Sequence, residues 1–514
     1  MKFSRLPLLA ITVIALGMFF RLGNLGNKLY SHDEAYTLLH AAGNTGSDAI
    51  NGIWDGRTIT RDDIQVFLQP REEKGIFDTL SALARSQPHE SPLFFIFAHY
   101  WMRLVGSSPA AMRGLSALLS LFAIPGMYYL SLELFKSQRT ALLSAAFISL
   151  SPFSILFAQD ARPYSLWASM TILSSVVFLT ALRKNTRLVW GLYTLSLAIG
   201  FYSHQLFVLV AIAHACYFIL MKELHTEGRF LRYITYSFFA VVFFTPWLFQ
   251  ILTRWNHVVR GLDWASTHIS WFQYIQRWVL IFTSPFLDLQ FTPRNIIPYL
   301  LRGPVLLLIG YALFFLIRST PRRIWVFLLL LIGVTTIPFI FSDLLRGGII
   351  SIQGRYFIPV NMAMIPVVAH LFTEKLSLSC PKLPIKWYLF VTLLLAAQIG
   401  SAFNILWAKT WWTKSLSWNN PQIVQELNQA SDPLLVVYGI APTDLGDMLA
   451  LSTMVDGDVK FRLYQTPAVV DLSGPFSDIY LFHKNYAKII EGENSYKIKE
   501  VAPNILWRIA NQVE

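Results

Sequence analysis

Short polar motifs interrupt an otherwise apolar chain, and their side chains suit group transfer at a phosphate. Asp33 and Glu34 stand in Tyr30-Ser31-His32-Asp33-Glu34-Ala35-Tyr36, and His89 and Glu90 in Pro88-His89-Glu90-Ser91-Pro92-Leu93-Phe94. Asp160 and Arg162 share Gln159-Asp160-Ala161-Arg162-Pro163-Tyr164, His204 follows Tyr202-Ser203, Asp343 stands near Arg346, and Arg355 precedes Tyr356. A carboxylate can act as general base, histidine can donate a proton or hold a metal, and the planar arginine fork matches a phosphate. A carboxylate away from water resists ionisation unless a cation is close, so an Asp–Arg grouping can keep a base charged. Such a set could deprotonate an acceptor hydroxyl while stabilising a departing phosphate. Plainer readings stand beside each: first-turn carboxylates for Asp33 and Glu34, headgroup anchors for Arg162 and Arg355, an interfacial histidine for His204.

The elements that must position these residues lie in a membrane. Of 514 residues 54% are hydrophobic and only 14% are charged, against the usual quarter, which excludes an ordinary soluble enzyme and a disordered chain. The net charge of +12 sits in short clusters between apolar runs, a topology signal rather than a nucleic-acid face. Cys216 and Cys380 are too few for a disulfide framework. Leu6 to Phe20 has no small-residue cleavage site after it and reads as an uncleaved first helix. Runs near 112–134, 141–157, 164–182, 188–202, 205–221, 232–251, 298–317, 324–341, 357–373 and 387–407 bring the candidates to about eleven transmembrane helices. Lys and Arg concentrate in alternate connections, placing the N-terminus in the cytoplasm and the C-terminus outside. The polar motifs then gather at outer span ends. Ile269 to Phe286 is expected to lie as an interfacial or re-entrant helix, Trp411-Trp412 to form an aromatic-belt anchor, and Arg57 to Lys74 to be a solvated face. The predicted organisation is a membrane domain over 1–410, including the first extracytoplasmic loop 23–111, and an α/β extracytoplasmic domain over 411–514. In the latter, Asn420 reads as an N-cap before Pro421, with strands at Leu434 to Tyr438, Val459 to Tyr464 and Ile479 to His483.

The segment Arg21 to Tyr36, with its Asp-Glu after the first span, resembles the first outer loop of GT-C fold glycosyltransferases of the family 39 type. These are related to the protein O-mannosyltransferases and the lipid A aminoarabinose transferase. The similarity continues through His89-Glu90-Ser91-Pro92-Leu93-Phe94, Trp101, Gly106 and Arg113-Gly114-Leu115-Ser116. It also takes in Ser151-Pro152-Phe153 to Gln159-Asp160-Ala161-Arg162-Pro163-Tyr164-Ser165, Tyr202-Ser203-His204 and Arg355-Tyr356. Glu90-Ser91 stands where the family has its first proline, and Asp160 replaces a glutamate.

The resemblance implies an α-helical polytopic GT-C protein that moves a hexosyl or pentosyl group from a polyprenyl-phosphate donor to an extracytoplasmic lipid, glycan or protein by direct inversion. Asp33 maps onto the catalytic carboxylate, with Glu34 beside it. His89, Glu90, Arg162, Arg355, Tyr356, Asp160, His204 and Arg113 are the expected substrate-binding residues. No cofactor is assigned and a divalent metal ion stays open. The partners are the lipid-linked donor, the acceptor and membrane lipids, with no nucleic acid, in a bacterial inner membrane with the active site outside. The competing reading is a transporter or flippase for a phospholipid-linked substrate, which predicts polar groups at mid-membrane and broken helices in paired positions.

Overall fold

The computed structural model describes residues 6–225, 228–261, 263–289, 297–377, 384–465, 472–482, 497–503 and 505–510. Met1 to Arg5, Cys380 and His483, all read in the sequence, lie outside the described residues. The chain forms two compact units, one of residues 1–24, 88–94 and 113–407, the other of 25–87, 95–112 and 408–514.

The first unit is helical. In lipid every backbone polar group needs a partner within the protein, and a helix supplies it locally. All eleven expected segments are helical, and among the described residues seven stretches are long and apolar enough to cross a membrane, with a bent pair making an eighth. Leu6–Leu22, Arg187–Ser203 and Phe207–Leu220 have 17, 17 and 14 residues. Seventeen residues stand at the lower end of the roughly 17–25 that cross a hydrocarbon core and fourteen stand below it, and Leu6–Leu22 begins at the first described residue. Trp271–Thr283 is a 13-residue helix capped by Ser270, with Trp271, Phe272 and Ile275 exposed and Tyr274, Leu280 and Ile281 buried. It too is far short of a span.

The bent pair, Gln138–Leu150 and Pro152–Ala158, turns by 52°. Pro152 has no N–H and Phe153 donates to Ser284 instead, so the Ser149 carbonyl loses its i+4 partner and the Ile148 carbonyl keeps only the Ser151 N–H at 3.4 Å. Arg21, fully buried on Leu6–Leu22, donates to both, at 2.7 Å to Ile148. Gly17 makes the approach possible, since a Cβ there would lie 2.3 Å from the Ser149 carbonyl oxygen.

The second unit is built on a six-stranded sheet: β1 (Asp55–Thr60), β2 (Pro433–Tyr438), β3 (Lys460–Tyr464), β4 (Asp478–Phe482), β5 (Lys497–Ala502) and β6 (Leu506–Ala510), in the order β1-β3-β2-β4-β6-β5. β2 runs parallel to β3 and β4 and is buried along its length, which its unbroken Leu-Leu-Val-Val-Tyr run reflects. β1 pairs antiparallel with β3. Part of the first loop therefore belongs to the sheet of the tail, and the division expected at residue 410 gives way to one in which 25–87 and 95–112 join 408–514. Asn419, one residue before the expected Asn420, precedes the helix Asn420–Gln429. Trp411, expected at a lipid interface, is fully buried in this unit.

Candidate functional site

In the first unit the polar motifs converge. Arg162 follows a tight turn in which its N–H donates to the Asp160 carbonyl at 2.7 Å, just before the helix Tyr164–Lys184 begins. Its guanidinium donates to Glu90 Oε1 at 2.7 Å, and both side chains are buried. Glu90 is held by its backbone, its carbonyl accepting from Trp247 Nε1 at 3.0 Å while Ser91 Oγ donates to the Phe201 carbonyl at 2.8 Å. Glu90 Oε2 and His89 Nδ1 are buried without a hydrogen-bond partner among the described residues.

Tyr164 serves two arginines. The Arg162 guanidinium lies 5.8 Å from its ring centroid, and Arg355 Nη1 donates to its hydroxyl at 3.3 Å. Arg355 also lies over Trp264 and Tyr356, at 5.9 and 5.5 Å from the ring centroids. His204 is stacked on Trp167 at 4.0 Å, and its Nδ1 accepts the Leu206 N–H at 3.1 Å. Burial drives the His204 imidazole down to about 3, so it is neutral at pH 7. His89 is lowered by burial as well. Burial pushes the Glu90 carboxyl up, but Arg162, His89 and His204 outweigh it and hold the group below its ordinary value. The cluster thus gathers the Arg162 and Arg355 guanidiniums, the Glu90 carboxylate, the buried His204 imidazole and the half-buried His89. Arg113 and Asp160 are buried in the same unit, and Ser116 Oγ donates to the Arg162 carbonyl at 3.4 Å.

In the second unit, Asp33 and Glu34 open the helix His32–Ala41, where carboxylates favour the positive end of the helix dipole. Glu34 closes a capping box: its Oε2 accepts the Ser31 N–H and the Ser31 hydroxyl, each at 3.0 Å. The same oxygen accepts from Lys414 Nζ at 2.6 Å, and Glu34 and Lys414 are both buried. Glu34, expected as a catalytic partner, is buried and engaged by Ser31 and Lys414. The Asp33 side chain is 35% exposed, with Oδ1 3.6 Å from His32 Nε2. The Tyr36 phenol is raised well above its ordinary value by burial and by the Asp444, Asp33 and Asp447 carboxylates, which places these acids around it.

Sequence reasoning did not single out Tyr164, Lys414, Ser417 or Asp447. Tyr164 sat inside a quoted motif, whereas Lys414 offered no signal beyond a charge beside two tryptophans. Asp343, conspicuous in the sequence, ties down its own loop by accepting the Ile350 and Ser351 N–H groups at 3.2 and 2.6 Å. Among the described residues no three His, Cys, Asp or Glu side chains converge on a point that could hold a metal ion. Glu34 and Glu90 are each engaged by a cation.

Residues 87–249 match the family model described as dolichyl-phosphate-mannose-protein mannosyltransferase. No curated protein matches the chain by sequence. The structure is similar to ArnT from Cupriavidus metallidurans, solved in the apo state (TM-score 0.54, 12% identity, 98% of this chain and 97% of that one). It is similar also to the same protein bound to undecaprenyl phosphate (TM-score 0.52, 12% identity, 98% of each chain). The apo oligosaccharyltransferase of Archaeoglobus fulgidus lies further off, at TM-score 0.49 and 13% identity over 89% of this chain and 64% of that one. The fold is GT-C, that of an integral membrane protein with a small C-terminal sheet domain.

Proposed function

We propose that this GT-C-fold membrane protein of the glycosyltransferase type moves a hexosyl or pentosyl group from a polyprenyl-phosphate donor to a hydroxyl of an extracytoplasmic lipid, glycan or protein. The observation that carries the reading is the placing of Arg162 and Arg355 on one tyrosine, Tyr164, with the half-engaged Glu90 beside Arg162. Two guanidiniums so close favour an anion with several oxygens, and a phosphate meets both forks. The undecaprenyl phosphate bound to the similar ArnT supports a donor of this kind.

In the proposed reaction Asp33 takes the proton of the acceptor hydroxyl as its oxygen attacks the anomeric carbon. The bond from that carbon to the phosphate oxygen breaks, and polyprenyl phosphate leaves as an anion that needs no proton. One base suffices for direct inversion, unlike the two-carboxylate arrangements of hydrolases. Arg162 and Arg355 neutralise the leaving phosphate. His89, Glu90, Asp160, His204, Arg113 and Tyr356 shape and orient the donor site, and Glu34 fixes the helix that presents Asp33. The alternation of Lys and Arg among the connections supports a cytoplasmic N-terminus and an outward active site, in a bacterial inner membrane.

The test compares purified wild type with Asp33→Asn on a panel of polyprenyl-phosphate sugars in an envelope extract, reading free polyprenyl phosphate by mass spectrometry. Donor-specific release by the wild type, reduced about 10²–10⁴-fold in the variant, is expected. Undiminished release by Asp33→Asn removes Asp33 from the chemistry. Binding without release in both proteins turns the reading towards transport.

A further inference from the structure

The backbone that leads into Asp33 is held residue by residue by one later stretch of the chain. Leu29 N–H donates to the Lys409 carbonyl at 2.8 Å, and Tyr30 N–H to Met454 Sδ at 3.3 Å. Lys414 Nζ reaches Ser31 Oγ at 3.3 Å and Glu34 Oε2 at 2.6 Å. His32 N–H donates to Ser417 Oγ at 3.0 Å, and that hydroxyl donates onward to Asp447 Oδ1 at 2.9 Å. The helix carrying Asp447, Pro442–Ser452, lies against His32 and Tyr36 so closely that a Cβ on Gly446 would come within 2.9 Å of the His32 ring. Residues 31, 32 and 34 are each fixed from residues 414–417, and between them the Asp33 carboxylate remains over one-third exposed.

We infer that Lys414, backed by Ser417 and Asp447, is a positioning residue for Asp33, so that the segment after the last membrane helix completes the base. The inference rests on the proposed sugar transfer with Asp33 as base. A first helical turn has few bonds of its own, because its leading N–H groups lack intrahelical partners, and its orientation is set by whatever caps it. Here the cap is charged: Lys414 neutralises Glu34, and Glu34 in turn binds the Ser31 N–H and hydroxyl. Without the lysine the buried carboxylate loses its ammonium partner, a loss that favours protonating the cap or swinging it towards water. Either change rotates the turn that aims Asp33, and a misplacement of about 1 Å at a reacting group can cost on the order of 10²-fold in rate. The contacts described for Arg162 and Arg355 involve none of these residues, so donor affinity is not expected to follow.

The experiment uses full-length protein in detergent, with Lys414→Met, Lys414→Arg and the double variant Lys414→Met/Glu34→Gln. Four readouts are taken with the polyprenyl-phosphate sugar identified by the panel: kcat, KM for the donor, thermal unfolding midpoint and the pH–rate profile. Lys414→Met is expected to lower kcat about 10- to 100-fold with the donor KM within about twofold, and Lys414→Arg to recover part of the loss. Should Lys414→Met fail to fold, the double variant carries the test, since it removes both charges. It is expected to regain the unfolding midpoint but not kcat, and to shift the acid limb of the pH–rate profile. A double variant with wild-type kcat and pH profile overturns the positioning role and leaves Lys414 a stabilising residue only. Wild-type protein that releases no polyprenyl phosphate from any donor overturns the transfer reading and this one with it.

Discussion

Glu34 and Glu90 are both enclosed carboxylates with a cation less than 3 Å away, yet they are finished differently. Glu34 Oε2 takes a backbone N–H, a hydroxyl and an ammonium. Glu90 offers one oxygen to Arg162, while the other has no hydrogen-bond partner among the described residues. A fully engaged buried ion pair fixes geometry and has little capacity left for a ligand. A half-engaged one pays desolvation without full return, and a native protein tolerates that where another molecule completes the set. On the proposed mechanism the contrast separates the scaffold of the base from the binding of the donor, although the sequence offers both as the same kind of acidic motif.

The largest expected effect comes from removing the cation in each pair. Lys414→Met and Arg162→Met should each destabilise by about 3–5 kcal/mol, seen as lower unfolding midpoints in detergent. A wild-type midpoint in either would show that its carboxylate reaches water. Next is acid. An unfolded His204 binds a proton near 6.5 whereas the folded one does not until about 3, so its contribution is complete above pH 6.5 and is lost as pH falls from there. Between pH 6.5 and 5 that loss amounts to about 2 kcal/mol. His89 is lowered too and adds to the slope, and Glu90, held below its ordinary value, adds a further loss at lower pH. Hydrogen-exchange protection factors around 204–206, taken relative to the intrinsic rate at each pH, should fall at pH 5, and His204→Gln should flatten that response.

Tyr164→Phe sharpens the contrast more gently. It keeps the ring beneath Arg162 and removes the hydroxyl that Arg355 holds. A donor KM raised about fivefold at unchanged kcat, a difference of about 1 kcal/mol, is expected, and unchanged KM would detach Arg355 from the donor. The smallest effect is a control. Arg183 and Glu133 form a two-pronged bridge at 2.7 and 3.1 Å with the arginine half exposed. Arg183→Ala should cost less than about 1 kcal/mol of stability, so a drop matching that of Arg162→Met would mean that burial is not what distinguishes the pairs.

What the sequence made legible follows from what apolar periodicity records. The membrane helices announce themselves by length and hydropathy, and β2 by an unbroken apolar run. β1 does not, because an edge strand with Ile59 alone buried reads as a polar loop, and it fell within a stretch taken as a solvated face. Asp33 and Glu34 were found together, but their separate fates depend on Lys414, 380 residues further along the chain. Such a pairing has no local signature. Arg21 looked like the flank of a first span, yet it is fully buried because a helix break elsewhere needs donors. Trp411 likewise carried the composition of an interface anchor and became core, since tertiary contacts decide whether an aromatic residue meets lipid or protein.

The break at Pro152 also bears on biogenesis. Arg21 finds its acceptors in residues synthesised about 127 positions later, an interval of roughly 6–25 s at ribosomal speeds of about 5–20 residues per second. Through that interval the guanidinium at the end of the nascent first helix must reach towards the polar headgroups, as long basic side chains near helix ends do. Its hydrogen bonds to Ile148 and Ser149 can form only once the broken helix has been made.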